Sequence, residues 1–294
     1  MVRIFLIIIC LAAFASCENS SGRSENFLNY DPTHYQRVSL NYEISGESDT
    51  CLVFIHGWNL NMRYWDAQVQ MLRNRYRILN LDLAGHGNSG KDRETWSVES
   101  FAKDIIGLLE KESLQNVILI AHSMGGDIAL QVRELAPNRI IGIIGVDNFK
   151  DVAFRMTDDQ FDSFTEYLNR FKRNYEEMSD EFAREHIRSR DRLVINRIVK
   201  DYKSADPKIA LEVFKFLIPK HEEEKDLLRQ LPFKLHLILS DYIPADEKSL
   251  RQYAGGGYDI TWIQGSGHFP MVEQPEQFNA ALTAVLAKVT AQRY

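Results

Sequence analysis

Residues 121–126 read Ala121-His122-Ser123-Met124-Gly125-Gly126 and connect two contrasting parts of the sequence. The continuous apolar run 116–121 predicts a strand that is buried on both faces. The segment 124–135 that follows has the apolar spacing of a helix. A serine between small residues on such a strand-to-helix turn has the context of a nucleophile elbow, where a strained turn exposes the hydroxyl at the carboxyl end of a sheet. Ser123 is therefore the candidate nucleophile, and the alternative is that it only caps the helix.

Apolar runs and amphipathic stretches alternate along the chain on both sides of this turn. In chain order, strands are predicted at 38–44, 51–56, 76–81, 116–121, 139–146, 233–239 and 258–263. Helices are predicted at 61–73, 98–111, 124–135, 247–253 and 274–288. Strands that alternate with helices in this way form a parallel sheet covered on both faces. The sequence therefore predicts an α/β fold with a mostly parallel central sheet and helices on both faces.

The alternation is interrupted between residues 150 and 231. This segment is rich in charged residues, has no strand pattern and carries apolar residues at helical spacing, which predicts four or five helices. Insertions between the strands of such a sheet usually carry the function-specific parts. We therefore expect one sheet domain, built from 34–149 and 232–294, with a helical cap at 150–231. A cap of this size favours a bounded pocket over a long open groove.

The composition limits the classes of protein that need to be considered. Of the 294 residues, 45% are hydrophobic and 26% are charged, which is the balance of a globular protein with a packed core. The net charge of −6 argues against a nucleic-acid partner, because phosphate binding needs a basic surface. The three cysteines and eight histidines form no cluster with zinc-ligand spacing. No phosphate-binding glycine motif follows a strand, so we expect neither a metal nor a cofactor.

The first 17 residues differ from the rest of the chain. A single basic residue, Arg3, precedes a nearly unbroken apolar run at 4–15, which is the pattern of a secretory signal peptide. The run is too short for a membrane-spanning helix of about 20 residues. The ending Ala15-Ser16-Cys17 is similar to the lipobox of bacterial lipoproteins, and the alternative is ordinary signal cleavage nearby. We predict an exported protein, periplasmic or on the cell surface, that is anchored to the membrane by a lipidated Cys17 and a tether at 18–33.

Four blocks of the sequence together resemble the α/β-hydrolase superfamily. The turn at 121–126 resembles the G-x-S-x-G elbow of this superfamily, with Ala121 in place of the first glycine. The other blocks resemble its strand-His-Gly loop, its D-x-x-G-x-G-x-S segment and its G-x-x-H-x-x-x-x-E-x-P ending, and they lie at 53–58, 81–89 and 265–275. The resemblance covers about 38–286 apart from the cap. It implies an α/β-hydrolase fold and hydrolase chemistry without a cofactor.

The resemblance also implies roles for particular residues. His268 follows the last predicted strand on a glycine-rich loop, from which its imidazole can reach Ser123. It is the candidate general base, which takes the serine proton during attack and returns it to the leaving group. By the superfamily pattern, the backbone N–H groups of Trp58 and Met124 form the oxyanion hole, which stabilises the developing negative charge. The histidines near these blocks, at 56, 86 and 122, are expected to be structural.

The acid of the expected catalytic triad is where the sequence departs from the superfamily. The usual acid lies in a G-x-x-D turn after the strand that follows the cap, but aligning Ser240 with the glycine puts Ile243 at the acid position. Asp241 and Asp246 lie on either side of that position. Asp147 follows the strand before the cap, where some lipases and dehalogenases of this fold carry their acid. We favour Asp147 over Asp241 and Asp246, and the alternative for Asp147 is a cap of the turn that enters the insertion.

The function predicted from these residues is hydrolysis of carboxylic esters or related small acyl compounds. It would use a Ser123–His268–Asp147 triad and an acyl-enzyme intermediate. A serine nucleophile argues against dehalogenase or epoxide hydrolase chemistry, for which the superfamily uses an aspartate. Esterase, lactonase, amidase and carbon–carbon hydrolase activities share these residues. Two alternatives stay open: acyl transfer to an alcohol or thiol, and a lipid-anchored binding protein that keeps the fold without catalysis.

Overall fold

The computed structural model of the chain describes residues 35–215 and 221–291. Within them, seven strands form one sheet, namely β1 (Tyr42–Ser45), β2 (Cys51–Ile55), β3 (Arg77–Leu81), β4 (Val117–His122), β5 (Ile140–Val146), β6 (Leu235–Ser240) and β7 (Tyr258–Ile263). Their order across the sheet is β1-β3-β2-β4-β5-β6-β7. β1 is antiparallel to β3, and every other pair of neighbours is parallel. The predicted mostly parallel sheet is confirmed.

The helices of the described residues fall into a core set and a cap set. In chain order they are α1 (Asp66–Leu72), α2 (Val98–Lys111), α3 (Gly125–Leu135), α4 (Asp158–Arg173), α5 (Tyr175–His186), α6 (Arg192–Ser204), α7 (Pro207–Phe214), α8 (His221–Arg229), α9 (Glu247–Tyr253), α10 (Pro270–Glu273) and α11 (Pro275–Ala291). In the core, α2 packs against α3, while α1 packs against α11. These two pairs form separate layers beside the sheet, as the alternating sequence predicts.

Local sequence explains why the core elements form. Every residue of β2, β4 and β6 is buried, which matches their unbroken apolar runs and the coverage of both faces of the sheet. α2 begins with a capping box in which Ser97 and Ser100 satisfy each other's backbone N–H groups. Its buried side chains include Phe101, Ile105 and Leu108, which recur at helical spacing and face the core. The sheet and its helices therefore form one apolar core whose strand ends carry the polar loops.

The predicted helix at 61–73 is divided in the structure. A 3₁₀ turn at Met62–Trp65 precedes α1. The Asn61 side chain accepts a hydrogen bond from the Arg63 N–H, and the Met62 N–H donates to Asp82 Oδ1 at 2.7 Å. These N–H groups have no partner within the helix, so the N-cap Asn61 and the loop residue Asp82 satisfy them. A 3₁₀ turn is common at such a helix start.

The segment between β5 and β6 contains helices α4 to α8 and no strand among its described residues. This agrees with the helical character expected for 150–231 from its spacing. α5 and α6 pack against each other, and α4 contacts both α5 and α7. No helix within 35–215 or 221–291 combines the length and apolarity needed to cross a membrane. The predicted signal peptide at 1–17, the tether at 18–33 and the lipidated Cys17 lie outside the described residues.

Candidate active site

Ser123 occupies the turn between the end of β4 and the start of α3. Its φ of 53° lies in the left-handed region, which is unfavourable for a residue with a Cβ atom. Its N–H donates to the carbonyl oxygen of Val146 at 3.0 Å. The Asn148 amide donates to the carbonyl oxygens of Ala121 and Ser123 at 2.9 and 3.2 Å. The strained turn is therefore held from the neighbouring strand β5 and the loop after it.

Two hydrogen bonds link Ser123, His268 and Asp147. Ser123 Oγ lies 2.9 Å from His268 Nε2, and His268 Nδ1 lies 2.6 Å from Asp147 Oδ2. A carboxylate only accepts hydrogen bonds, so we assign the imidazole proton to Nδ1, and the lone pair on Nε2 faces the serine hydroxyl. The Asp147 side chain is 1% exposed and that of His268 is 16% exposed. This geometry allows His268 to accept the Ser123 proton beside a buried counter-charge.

The second oxygen of Asp147 is also fully engaged. Oδ1 accepts hydrogen bonds from the Ser240 N–H at 2.9 Å and the Ser240 hydroxyl at 2.5 Å. The ammonium group of Lys150 lies 2.7 Å from the same oxygen. Burial by itself raises the pKa of Asp147, but the bonds and charges of His268 and Lys150 outweigh it and hold the pKa below its ordinary value. Asp147 is therefore ionised at neutral pH.

The structure places the two alternative acids in other roles. Asp241 Oδ1 accepts the N–H of Gly265 at 3.0 Å, at the start of the loop that leads to His268. Asp246 is the N-cap of α9 and accepts N–H groups from Lys248 and Ser249. Among the described residues, the carboxylate that bonds to His268 is that of Asp147. β6 ends beside Asp147 in Ser240, whose N–H and hydroxyl both donate to the Asp147 carboxylate. Ser240 stands at the position where the superfamily pattern has a glycine.

The predicted oxyanion-hole residues lie on both sides of Ser123. A Cβ atom on Gly57 would lie 2.7 Å from His122 Nδ1 and 3.0 Å from Ser123 Cβ, so glycine lets the loop before Trp58 approach this closely. Met124 follows Ser123 directly and is the N-cap of α3. Neither the Trp58 nor the Met124 backbone N–H donates to a protein acceptor within 35–215 and 221–291. Both N–H groups are therefore available to a ligand oxygen.

Two buried histidines hold the backbone around this centre. His122 Nε2 lies 2.7 Å from the carbonyl oxygen of His268, and His56 Nδ1 lies 2.8 Å from the carbonyl oxygen of Gly57. His56 Nε2 accepts the Leu83 N–H at 2.9 Å. Burial lowers the pKa of each imidazole to about 3. Both rings are therefore neutral and donate to these carbonyl groups, in agreement with the structural roles expected from the sequence.

The loop that carries His268 is attached to the last residue of α5 and to the segment that follows it. The His268 N–H donates to the carbonyl oxygen of His186 at 2.7 Å. Glu273 Oε2 accepts the N–H groups of Arg188 and of the next residue, each at 2.7 Å. Glu273 Oε1 accepts the N–H of Phe269 at 3.0 Å. The glutamate of the last sequence block therefore binds cap backbone and His268 loop together.

Trp58 makes a second attachment between the core and the cap. Its indole N–H donates to the carbonyl oxygen of Ala210 in α7 at 2.9 Å, and its side chain is buried. Its ring contacts a group of cap aromatic side chains with centroid distances of 4.6–5.9 Å: Phe171, Phe182, Tyr202 and Phe214. The aromatic residues of the cap thus form its core around an indole that belongs to the sheet domain.

A polar cleft of about 320 Å³ lies elsewhere between the cap and the sheet domain. It is lined by residues that include Asn59, Asp82, Lys91, Asp206 and Ala210, and not by Ser123, His268 or Asp147. Asp82 is already occupied by the N–H of Met62 and by other donors from neighbouring loops. No group of three or more metal-ligating side chains was found within the described ranges. The cleft is therefore separate from the Ser123 centre.

Sequence reasoning missed three residues that support the centre. Asn148 bonds to the elbow, while Ser240 and Lys150 bond to Asp147. The signal for Asn148 and Lys150 was their position, one and three residues after the favoured acid. In the sequence, Ser240 differs from the superfamily glycine, and this difference is the signal that could have indicated its role. Its hydroxyl and N–H both donate to Asp147 at the end of β6.

The chain belongs to the α/β-hydrolase family. The family model described as "Alpha/beta hydrolase family" matches residues 52–281, which is more than half of the chain. The match includes both the sheet domain and the cap segment, and it begins in β2 and ends in α11. The resemblance inferred from the four sequence blocks is confirmed by this match and by the fold.

The similar proteins differ in how much of them the chain covers. A dihydrolipoyllysine-residue acetyltransferase component of the acetoin cleaving system of Pseudomonas putida is 32% identical over 102 residues, which is 35% of this chain and 28% of that protein. A pimeloyl-[acyl-carrier protein] methyl ester esterase of Yersinia enterocolitica is 24% identical over 253 residues, which is 82% of this chain and 94% of that protein. A solved thermophilic esterase from Thermogutta terrifontis has a TM-score of 0.72 and 22% identity and covers 86% of this chain and 94% of its own. The chain thus spans about a third of some curated relatives and nearly the whole of others.

Proposed function

We propose that the protein is a serine hydrolase that cleaves carboxylic esters or related small acyl substrates. The observation that carries this proposal is the hydrogen-bonded series Ser123 Oγ, His268 Nε2 and Asp147 Oδ2, with distances of 2.9 and 2.6 Å. The proposed reaction needs an imidazole with its proton on Nδ1, and the Asp147 carboxylate, which only accepts hydrogen bonds, favours that tautomer. Hydrolase chemistry is also what the family membership of the chain supports.

In the first half of the proposed reaction, Ser123 Oγ forms a bond to the acyl carbon while its proton passes to His268 Nε2. The carbonyl oxygen becomes negatively charged and accepts hydrogen bonds from the N–H groups of Trp58 and Met124. His268 then gives its proton to the departing alkoxide, and the carbon–oxygen bond of the ester breaks. The products of this half are an alcohol and an acyl group on Ser123.

In the second half, water replaces the alcohol. His268 accepts a proton from the water as its oxygen attacks the acyl carbon, and the same two N–H groups stabilise the second oxyanion. Collapse of this intermediate releases the carboxylic acid, and the proton returns from His268 to Ser123. Asp147 balances the charge of the imidazolium in both halves without taking its proton.

The similar proteins support ester hydrolysis as the reaction. The Yersinia relative is named as a methyl ester esterase, and its sequence aligns with 82% of this chain. Acyl transfer is the competing activity, because the Pseudomonas relative is named as an acetyltransferase component, although the alignment covers only 28% of it. The two activities differ only in whether water or another nucleophile accepts the acyl group, so products of ester cleavage in the presence of an alcohol distinguish them.

The first experiment is covalent labelling with a fluorophosphonate probe, followed by mass spectrometry of the labelled peptide. We expect an adduct on Ser123 in the native protein, none after heat inactivation and none in Ser123→Ala. Ser113→Ala is a matched control, because Ser113 also has a positive φ, 51°, on an exposed turn without a histidine partner among the described residues. A native protein that gives no adduct on Ser123 would favour the non-catalytic binding protein.

We further propose that the protein is exported and held at the membrane through a lipid on Cys17. This proposal depends on the sequence of residues 1–17 alone. When the whole sequence is expressed, metabolic labelling with an alkyne fatty acid should mark the processed protein, and the labelled protein should be found in the membrane fraction. Cys17→Ser should remain unlabelled, and labelling of that variant would contradict the proposed anchor.

A further inference from the structure

We infer that Lys150 is a positioning residue of the proposed active site. Its ammonium group lets His268 stay unprotonated at a lower pH than Asp147 would allow without a neighbouring cation. The inference rests on the proposed function of Ser123, His268 and Asp147. Lys150 does not touch the reacting atoms. It acts through the carboxylate of Asp147, whose two oxygens face a histidine on one side and a lysine on the other.

The ammonium group of Lys150 is placed by three contacts. It lies 2.7 Å from Asp147 Oδ1, 2.8 Å from the carbonyl oxygen of Ser240 and 3.1 Å from the Ser240 hydroxyl. It also lies 4.7 Å from the ring centre of Tyr242, within the range of a cation–π interaction. An ammonium group has three N–H donors, and these contacts direct it to the adjoining ends of β5 and β6, where Asp147 and Ser240 lie.

The backbone brings Lys150 back to the carboxylate. Asp147 and Phe149 both have left-handed φ angles, 50° and 54°, so the chain turns sharply directly after β5. Left-handed conformations of residues with a Cβ atom are unfavourable and persist where the surrounding structure requires them. The side chain of Lys150 is only 11% exposed and that of Asp147 1% exposed. Their attraction is therefore weakly screened by solvent.

Other ionisable groups also face His268, and each has a different effect from Lys150. Burial lowers the pKa of His122 to about 3 and that of His186 to about 4, so both are neutral near pH 7. Burial raises the pKa of Tyr242, so its hydroxyl stays protonated. The guanidinium group of Arg188 lies 5.6 Å from the ring centre of Tyr242, and the carboxylate of Glu273 accepts hydrogen bonds from three backbone N–H groups. Among these groups, Lys150 is the cation in contact with the Asp147 carboxylate.

The consequence follows from the sign of the charges. A positive charge beside Asp147 partly offsets the negative charge that favours the imidazolium form of His268. Removing it makes protonation of His268 easier, so the enzyme loses its general base at a higher pH. With an effective dielectric constant of about 20, a unit charge roughly 7 Å from the imidazole corresponds to an upper limit of about 1.5–2 pH units; because the His268 side chain is 16% exposed, solvent reduces the expected shift to about 0.5–1 unit.

The experiment compares the pH dependence of kcat/KM for a p-nitrophenyl ester in the native protein, Lys150→Met and Lys150→Arg. We expect the pH of half-maximal kcat/KM on the acid side to rise by about 0.5–1 unit in Lys150→Met. Lys150→Arg keeps a cation and should restore most of the native position. If Lys150→Met does not fold, Lys150→Gln replaces it, since its amide can still bond to the Ser240 carbonyl oxygen.

Lys225→Met is the matched control for loss of a buried lysine. Lys225 is 4% exposed, lies 3.2 Å from Glu222 and 5.2 Å from the ring centre of Tyr253, but has no contact with the active-site residues. Its pH profile should overlay that of the native protein. A Lys150→Met profile that also overlays the native one overturns the inference, as does a shift that Lys150→Arg repeats in full. If Ser123→Ala keeps native turnover, the proposed function fails and this inference fails with it.

Discussion

Replacing Asp147 by asparagine tests which acid serves His268. The amide has one acceptor and one donor where the carboxylate has two acceptors. Oδ1 of Asp147 faces three donors, namely the Ser240 N–H, the Ser240 hydroxyl and the Lys150 ammonium group. An NH₂ group cannot occupy that position, so the amide must turn its NH₂ toward His268 Nδ1. The imidazole then carries its proton on Nε2 and has no lone pair for the Ser123 hydroxyl.

The expected loss is large because the wrong tautomer blocks proton transfer in every turnover. The corresponding carboxylate-to-amide change in a serine protease lowers the rate by about 10⁴-fold, so we expect kcat/KM to fall by about 10³–10⁴-fold. A factor of this size corresponds to about 4–5.5 kcal/mol of transition-state stabilisation. The variant also leaves Lys150 as a buried cation without its counter-charge, which should lower the free energy of unfolding by about 3–5 kcal/mol.

The assay is hydrolysis of a p-nitrophenyl ester at pH 8, with kcat and KM determined separately. The loss should appear in kcat, because Asp147 does not contact the substrate in the proposed reaction. Asp241→Asn and Asp246→Asn are matched controls, since an amide oxygen can still accept the N–H of Gly265 or cap α9. Both should stay within about threefold of the native kcat/KM. Circular dichroism before each assay confirms that the variants are folded.

One pattern of rates refutes this reasoning. If Asp147→Asn keeps kcat/KM within tenfold of the native value while Asp241→Asn or Asp246→Asn loses it, the acid has been assigned to the wrong residue. A fall of similar size in all three variants would refute it equally, because it would reflect general damage to the β6 and His268 loops.

Two further predictions concern stability. Trp58→Phe keeps an aromatic ring among the cap aromatic side chains but removes the indole N–H bond to Ala210, whose carbonyl oxygen keeps its place in the hydrogen bonding of α7; a loss of about 0.5–1.5 kcal/mol is expected, and an unchanged Tm in a thermal melt would contradict this role. Burial lowers the pKa of His56 and His122 to about 3, so the unfolded chain binds more protons below about pH 6.5 and stability should fall as the pH drops from 6.5 to 4. Each of the two histidines contributes up to about 1.4 kcal/mol per pH unit. His122→Gln should therefore reduce the slope of urea-unfolding free energy against pH, whereas an identical slope would count against a neutral buried imidazole at this position.

Much of the fold could be predicted from local patterns in the sequence. The predicted helix at 98–111 agrees with α2, and the predicted helix at 247–253 agrees with α9. These elements depend on periodicity and on capping residues close in the chain, such as Ser97 and Asp246. The 3₁₀ turn before α1 could not be predicted in the same way, because the Met62 N–H bonds to Asp82, twenty residues further along.

The candidate site also has some residues that neighbouring sequence identifies and others that depend on long-range contacts. Ser123 and His268 each lie in a recognisable sequence block, because a strained turn and a glycine-rich loop impose local requirements on neighbouring residues. The sequence by itself therefore determined that both residues lie at the carboxyl end of a parallel sheet. It also determined the family of the chain and the helical character of the segment between β5 and β6.

Only the tertiary structure decided which acid lies beside His268. The ends of β5 and β6 are neighbours in the sheet, so Asp147, Asp241 and Asp246 all belong to loops at the same edge. Their distances from His268 depend on how the two loops turn, which no short stretch of sequence specifies. In the folded protein, Ser240 and Lys150 hold Asp147 at 2.6 Å from His268 Nδ1. The contacts that select it join residues 90 or more positions apart, apart from the turn to Lys150, and they exist only once the sheet has assembled.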